Sequence, residues 1–177
     1  MLSDLEIRDL ATRMAVPLVF CSFKDNLSEE TLEYNKGYII NMESTVDPES
    51  GKSNEGSHYT CFFVKKYPSG EKQGIYFDSF GIAPPQEVIS FCPGIKMHHS
   101  TKDIQSICSD MCGWFCLAFL YWVSVYPGRT GHLFSDAEAF TDLFDDMNTS
   151  IDHKKNEFIL KHFFRSDDPA KRVPVEV

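Results

Sequence analysis

A chain of 177 residues with 42% hydrophobic content can bury one core of ordinary size, so a single domain over residues 1–177 is expected. A net charge of -9 and a pI near 5.1 argue against general affinity for nucleic acid or anionic membrane. The opening "MLSDLEIRDLATRM" lacks the pattern of a secretory signal, and the longest apolar run, residues 113–126, is shorter than the ~20 residues that cross a bilayer. An intracellular protein with free thiols at its six cysteines is therefore the expectation.

Ser3 and Glu6 have the spacing of a capping box, with Leu2 placed to staple onto Ile7, which predicts a helix from Asp4 that stops before Pro17. "PLVFCSF" and "GYIINME" read as strands. "HYTCFFVKK" and "GIYFDSFG", joined by "YPSGEKQ", read as a hairpin. The polar segment 47–55 reads as a flexible loop. Beyond "APP" come a short helix, "QEVISF", an irregular "CPGIKMHHSTKD", and a brief strand over residues 104–107.

The apolar run from Gly113 reads as a buried helix. Ser135 and Glu138 form a second capping-box pattern, followed by Phe140, Leu143, Phe144 and Met147 at helical spacing. A last helix carries Phe158, Ile159, His162 and Phe163. The order of helix, strands and helices predicts an α+β fold with helices packed on a central sheet. Cys21, Cys61 and Cys92 read as small core residues.

The chemistry concentrates in "QSICSDMCGWFC", where Cys108, Cys112 and Cys116 recur at intervals of four. A metal cage is one reading, with His98 or His99 as a fourth ligand, but structural zinc sites add a distant second pair to the first, whereas these three cysteines share one apparent helical segment whose run from Gly113 is apolar. The other reading is one reactive thiol. Cys112 falls where the polar "SD" gives way to the apolar helix, and the unpaired N–H groups of a helix start favour the thiolate. Ser109 or Asp110 could cap that helix, and Gly113 admits a substrate backbone.

A cysteine nucleophile needs a histidine and a group that orients it. His58 begins one strand of the hairpin and Asp78 lies in the other, so neighbouring strands can hold both. A carboxylate between Phe77 and Phe80 needs a partner, and His58 is the obvious one. Gln105, upstream of Cys112, can offer an amide donor to an oxyanion. Taken singly, each of these residues is ordinary; the ordered set is not.

The succession "GSHY", "YFDSFG", "QS" and "CGWFC" resembles the adenovirus protease (adenain-like) family of cysteine peptidases, which shares the order His, acid, Gln, Cys with SUMO-specific proteases. The likeness covers most of the chain. "PLVFCSFKDNL" and "NKGYIINME" are similar to segments in the short proteases of virophages, Polinton-type elements and related DNA viruses, and "NEFILKHFFRS" resembles the adenovirus enzyme's final helix. The resemblance implies His58 as base, Asp78 as its orienting acid, Gln105 as oxyanion donor and Cys112 as nucleophile. It further implies a papain-like mixed sheet packed with helices, and cleavage of virion precursor proteins at Gly-containing, small-residue sites during particle maturation, in the virion and the infected cell's cytoplasm.

The chain departs from the family at Tyr59, commonly Trp, which keeps an aromatic wall beside the substrate, and at Asp78, which is Glu in the adenovirus enzyme. No cofactor is implied for the chemistry. The family resemblance raises an activating peptide or DNA as possible partners; Cys92 is nearest to the peptide-linking position, and the acidic balance weighs against DNA. The competing readings are a SUMO-type isopeptidase, which shares the site, and a zinc-binding interaction module.

Overall fold

Ser3 starts the first helix through a reciprocal pair of bonds: its hydroxyl accepts the Glu6 N–H and the Glu6 carboxylate accepts the Ser3 N–H, both at 3.2 Å. The computed structural model describes residues 1–44, 49–52, 58–106 and 109–164. In it this helix, α1, spans Asp4–Arg13 and buries Ile7, Leu10 and Ala11 on one face. Strands follow as β1 (Leu18–Phe23), β2 (Gly37–Asn41), β3 (Tyr59–Lys66) and β4 (Lys72–Phe77). Then come α2 (Gln86–Phe91), β5 (Met97–His99), α3 (Cys112–Ser124), α4 (Leu133–Asp142) and α5 (Lys155–Lys161). Among the described residues no helix is long and apolar enough to cross a membrane.

The five strands lie in one mixed sheet in sequence order. β1 pairs parallel with β2, β2 and β3 and then β3 and β4 pair antiparallel, and β4 pairs parallel with β5. The hairpin expected around "YPSGEKQ" is β3 and β4, with Cys61 opposite Phe77. β2 and most of β3 are buried without a polar alternation, because both faces of the sheet are covered. Side chains of Tyr59, Cys61, Phe63, Ile75 and Phe77 join one core with α1, α3, α4 and α5. The intervening Phe62, Val64 and Tyr76 face a second core with Val88 and Cys92. The fold is therefore α+β, a mixed sheet between helices.

Three local expectations are corrected. The stretch "CPGIKMHHSTKD" contains β5, three residues that pair with Gly74, Ile75 and Tyr76. Residues 104–106 form no strand; the N–H groups of Ile104 and Gln105 both donate to the Ser79 carbonyl, and Ile107 lies outside the described residues. Helix α4 begins at Leu133, so Ser135 does not cap it. The buried Asp136 instead organises the approach to the helix, accepting the N–H groups of Thr130 and Gly131 and the Thr130 hydroxyl. Of segment 47–55, only residues 49–52 are described.

Asn156 of α5 fastens the C-terminal helices to the loop that carries Gln105. Its amide donates to the carbonyls of Ile104 at 3.0 Å and Asp145 at 2.7 Å and accepts the Asp145 N–H at 2.9 Å. Asn156→Ala leaves these buried groups without partners, so a loss of roughly 2 kcal/mol is expected. Urea unfolding checks it: the midpoint should fall by about 1 M at a slope of ~2 kcal/mol/M.

Candidate active site

Three elements meet at one end of the sheet. His58 immediately precedes β3, Asp78 immediately follows its antiparallel neighbour β4, and Cys112 is the first residue of α3, which packs on β3. The stacked rings of Phe77 and Phe119, with centroids 4.6 Å apart, tie the end of β4 to α3. His58 Nε2 lies 2.9 Å from Asp78 Oδ1, which leaves the other ring nitrogen for Cys112. Asp78 is 2% exposed, and the same Oδ1 also accepts the Phe80 N–H at 2.8 Å. The Phe80 ring lies against the imidazole, centroids 4.8 Å apart. The expected partnership of a buried acid with His58 is therefore present in the structure.

Burial is the largest influence on the His58 ring and opposes its charge. Hydrogen bonds and charge from Asp78 and Cys112 outweigh it and raise the pKa from 6.5 to about 9. At neutral pH the ring is an imidazolium held between a carboxylate and a sulfur.

Neither Ser109 nor Asp110 caps α3, contrary to expectation. Met111 holds the cap position without a side-chain bond, the Ser109 hydroxyl accepts the Met111 N–H, and Asp110 pairs with the Met1 amino group at 2.9 Å. Among the described residues the first-turn N–H groups of α3 thus have no side-chain acceptor, which leaves the partial positive charge of the helix start at Cys112. The carboxylate nearest that thiol in sequence is occupied by an ammonium group.

The remaining predicted residues have definite places. Gln105 is 2% exposed and lies on the loop between β5 and α3; its Nε2 donates to the Ser109 carbonyl at 2.9 Å. Tyr59 and Gly113, expected to face substrate, turn inward. The buried Tyr59 ring sends its hydroxyl to Asp4 at 2.5 Å. A side chain on Gly113 would meet Leu2 and Ile7 at 3.4 Å, so this glycine lies against α1 and Leu2, two residues ahead of the helix. What Tyr59 supplies to the site is its backbone. Its N–H points at Cys112 Sγ, 3.4 Å away, while its carbonyl accepts from Cys116 Sγ at 3.5 Å. The four-residue interval between the two cysteines thus straddles one residue of β3.

All five described cysteines are free and buried, and Cys108 lies outside the described residues. Burial pushes the Cys21 and Cys92 thiols up to about 12, and that of Cys116 well above its usual value. Cys92, the position nearest the family's peptide-linking cysteine, sits in the second core beneath α2. His98 lies against Phe134, ring centroids 4.2 Å apart. Among the described residues no group of three or more His, Cys, Asp or Glu is arranged to hold a metal ion.

Sequence reasoning missed Ser79, which bonds Gln105 and its loop, and used Phe80 only as an apolar flank of Asp78, not as the N–H donor to its carboxylate. The signal was present in "YFDSFG": a small polar residue among aromatics, next to a buried carboxylate, has to be bonded to something.

The sequence matches no family model and no curated protein. Among solved structures, the crystal structure of HopZ1a in complex with IP6 is similar at a TM-score of 0.42 and 13% identity over 78% of this chain. The chain spans 47% of that structure's length.

Proposed function

We propose that the chain is a cysteine endopeptidase that cleaves virion precursor proteins at glycine-containing sites during particle maturation. The observation that carries this reading is the meeting of His58, bonded to Asp78, with Cys112 at the uncapped start of α3. The charged imidazole beside the sulfur and the helix start behind it place positive charge where the nucleophile acts.

In the proposed reaction the Cys112 thiolate attacks the scissile carbonyl carbon, and the carbonyl π electrons move to oxygen. Gln105 Nε2–H, with backbone N–H at the start of α3, stabilises that oxyanion. His58 gives its proton to the leaving amine as the C–N bond breaks, leaving a thioester on Cys112. It then takes a proton from water, whose hydroxide releases the acid product and restores the thiolate. Asp78 holds the ring and stabilises its charge throughout. Glycine at the cleavage site fits a narrow cleft, as the family resemblance implies, and the place of action is then the virion and the infected cell.

The test is incubation with the capsid precursors encoded beside this gene, with products identified by mass spectrometry. Cleavage after glycine within a precursor supports the reading. Release of a ubiquitin-like modifier with precursors untouched would replace it with the isopeptidase, and stoichiometric zinc in protein without hydrolytic activity would replace it with the metal-binding module.

Selective labelling gives an independent prediction. At pH 7, substoichiometric iodoacetamide should modify Cys112 at least ~10-fold faster than Cys21, Cys61, Cys92 or Cys116, because all five are buried and of these only Cys112 has the charged His58 ring beside it. Peptide mapping reads the rates; equal labelling of these five would remove Cys112 from its role.

A further inference from the structure

Ser79 makes contacts that burial alone does not require. It is 1% exposed, and all of its polar groups that bond across the site go to the Gln105 loop. Its carbonyl accepts the N–H groups of Ile104 at 2.8 Å and Gln105 at 3.1 Å, and its hydroxyl donates to Gln105 Oε1. The orientation of the Gln105 amide follows from the other end. The Ser109 carbonyl can only accept, so the amide edge 2.9 Å from it must be nitrogen. The edge facing Ser79 is therefore oxygen, and the serine hydroxyl must be its donor.

An amide held this way has its oxygen satisfied and one N–H occupied, leaving a single N–H on Nε2. A free glutamine would present oxygen or nitrogen with comparable ease, and an oxygen turned toward a developing oxyanion would repel it. We propose that Ser79 is a positioning residue for the oxyanion donor: its hydroxyl locks the Gln105 amide with nitrogen toward the reacting carbonyl. This rests on the protease reading above, and it adds that the residue following the acid in sequence serves the glutamine and not the histidine. Asp78 and Ser79, consecutive at the end of β4, thus divide the work: one orients the base, the other the oxyanion donor.

The experiment compares two reactions of the same thiol. Alkylation of Cys112 by iodoacetamide forms no oxyanion, whereas hydrolysis of a Gly-Gly-X peptide does. Ser79→Ala should lower kcat about tenfold with KM within twofold, while the alkylation rate at pH 7 stays within twofold of wild type. Gln105→Ala should lower kcat about 100-fold, and the double variant should match Gln105→Ala alone, because Ser79 acts through it. The double variant removes both partners of the buried bond, so it decides the matter even if Ser79→Ala by itself folds poorly. A double variant about tenfold slower than Gln105→Ala, or a Ser79→Ala enzyme with wild-type kcat, would overturn the proposal while leaving the protease reading intact. Alkylation slowing in step with hydrolysis would overturn it too, assigning Ser79 to the packing around the thiol. A wild-type protein inert toward both peptide and precursors would take down the protease reading and this one together.

Discussion

Cys112→Ala is expected to abolish peptide hydrolysis, a fall in kcat of at least ~1000-fold, with the fold retained. The substitution removes one sulfur from a site where, among the described residues, its backbone partner is the Tyr59 N–H at 3.4 Å. The structural cost should be small, about 1 kcal/mol for a lost buried atom and a weak bond. The chemical cost is the whole covalent path, since Cys116, one helical turn away, is fully buried, bonded to the Tyr59 carbonyl and held protonated by its surroundings. Circular dichroism with urea unfolding checks the fold, and initial rates on a Gly-Gly-X peptide check the chemistry. Activity within tenfold of wild type would exclude Cys112 as the nucleophile.

The second large effect belongs to Asp78. Asp78→Ala takes the acceptor away from His58 and from the Phe80 N–H together. A fall in kcat/KM of ~100-fold or more is expected, because the imidazole loses the group that fixes its orientation and supports its charge. The same substitution should change how stability depends on pH. His58 has a folded-state pKa of about 9 against an ordinary 6.5. A raised pKa means the folded state holds the proton more tightly than the unfolded chain. Its stabilisation is complete below about pH 6.5 and is lost as pH rises through about 9. At ~1.4 kcal/mol per unit the contribution is on the order of 3 kcal/mol. Urea midpoints at pH 6 and pH 9.5 should therefore differ clearly in the wild type, and by much less in Asp78→Ala. An unchanged difference would show that the carboxylate is not what holds the proton on His58.

Much of the framework was legible because its causes are local. The Ser3 and Glu6 box, the hairpin around "YPSGEKQ" and the all-apolar α3 each follow from residues close in sequence, and each is found in the fold. The site was partly legible for another reason: a carboxylate between aromatic residues has to be bonded, and His58 was the histidine that a neighbouring strand could bring to it. What could not be read depended on distant partners. β5 is only three residues long and flanked by residues that read as loop, and it is a strand because β4 offers it an edge. The stretch beginning at Ile104 was read as a strand, yet the backbone bonds of Ile104 and Gln105 go to Ser79 and Asn156, far away in sequence. Ser135 and Glu138 read as a capping box, while the helix begins at Leu133 and the buried Asp136 carboxylate closes the preceding loop. Gly113 looked like room for substrate and is room for α1.

The two sulfurs on either side of Tyr59 have a consequence for strand alignment. A strand buried on both faces has little in its composition to forbid a slip by one residue, since apolar side chains await it on either side. Such a slip would advance β3 by ~3.3 Å and turn Tyr59, Cys61 and Phe63 to the opposite core. It would also carry His58 out of reach of Asp78. Cys112 accepts from Tyr59 and Cys116 donates to it, so donor and acceptor must alternate correctly along α3 and β3 for both contacts to form. The pair acts as a gauge that only the aligned strand satisfies, and the thiol assigned to chemistry is one of its two marks.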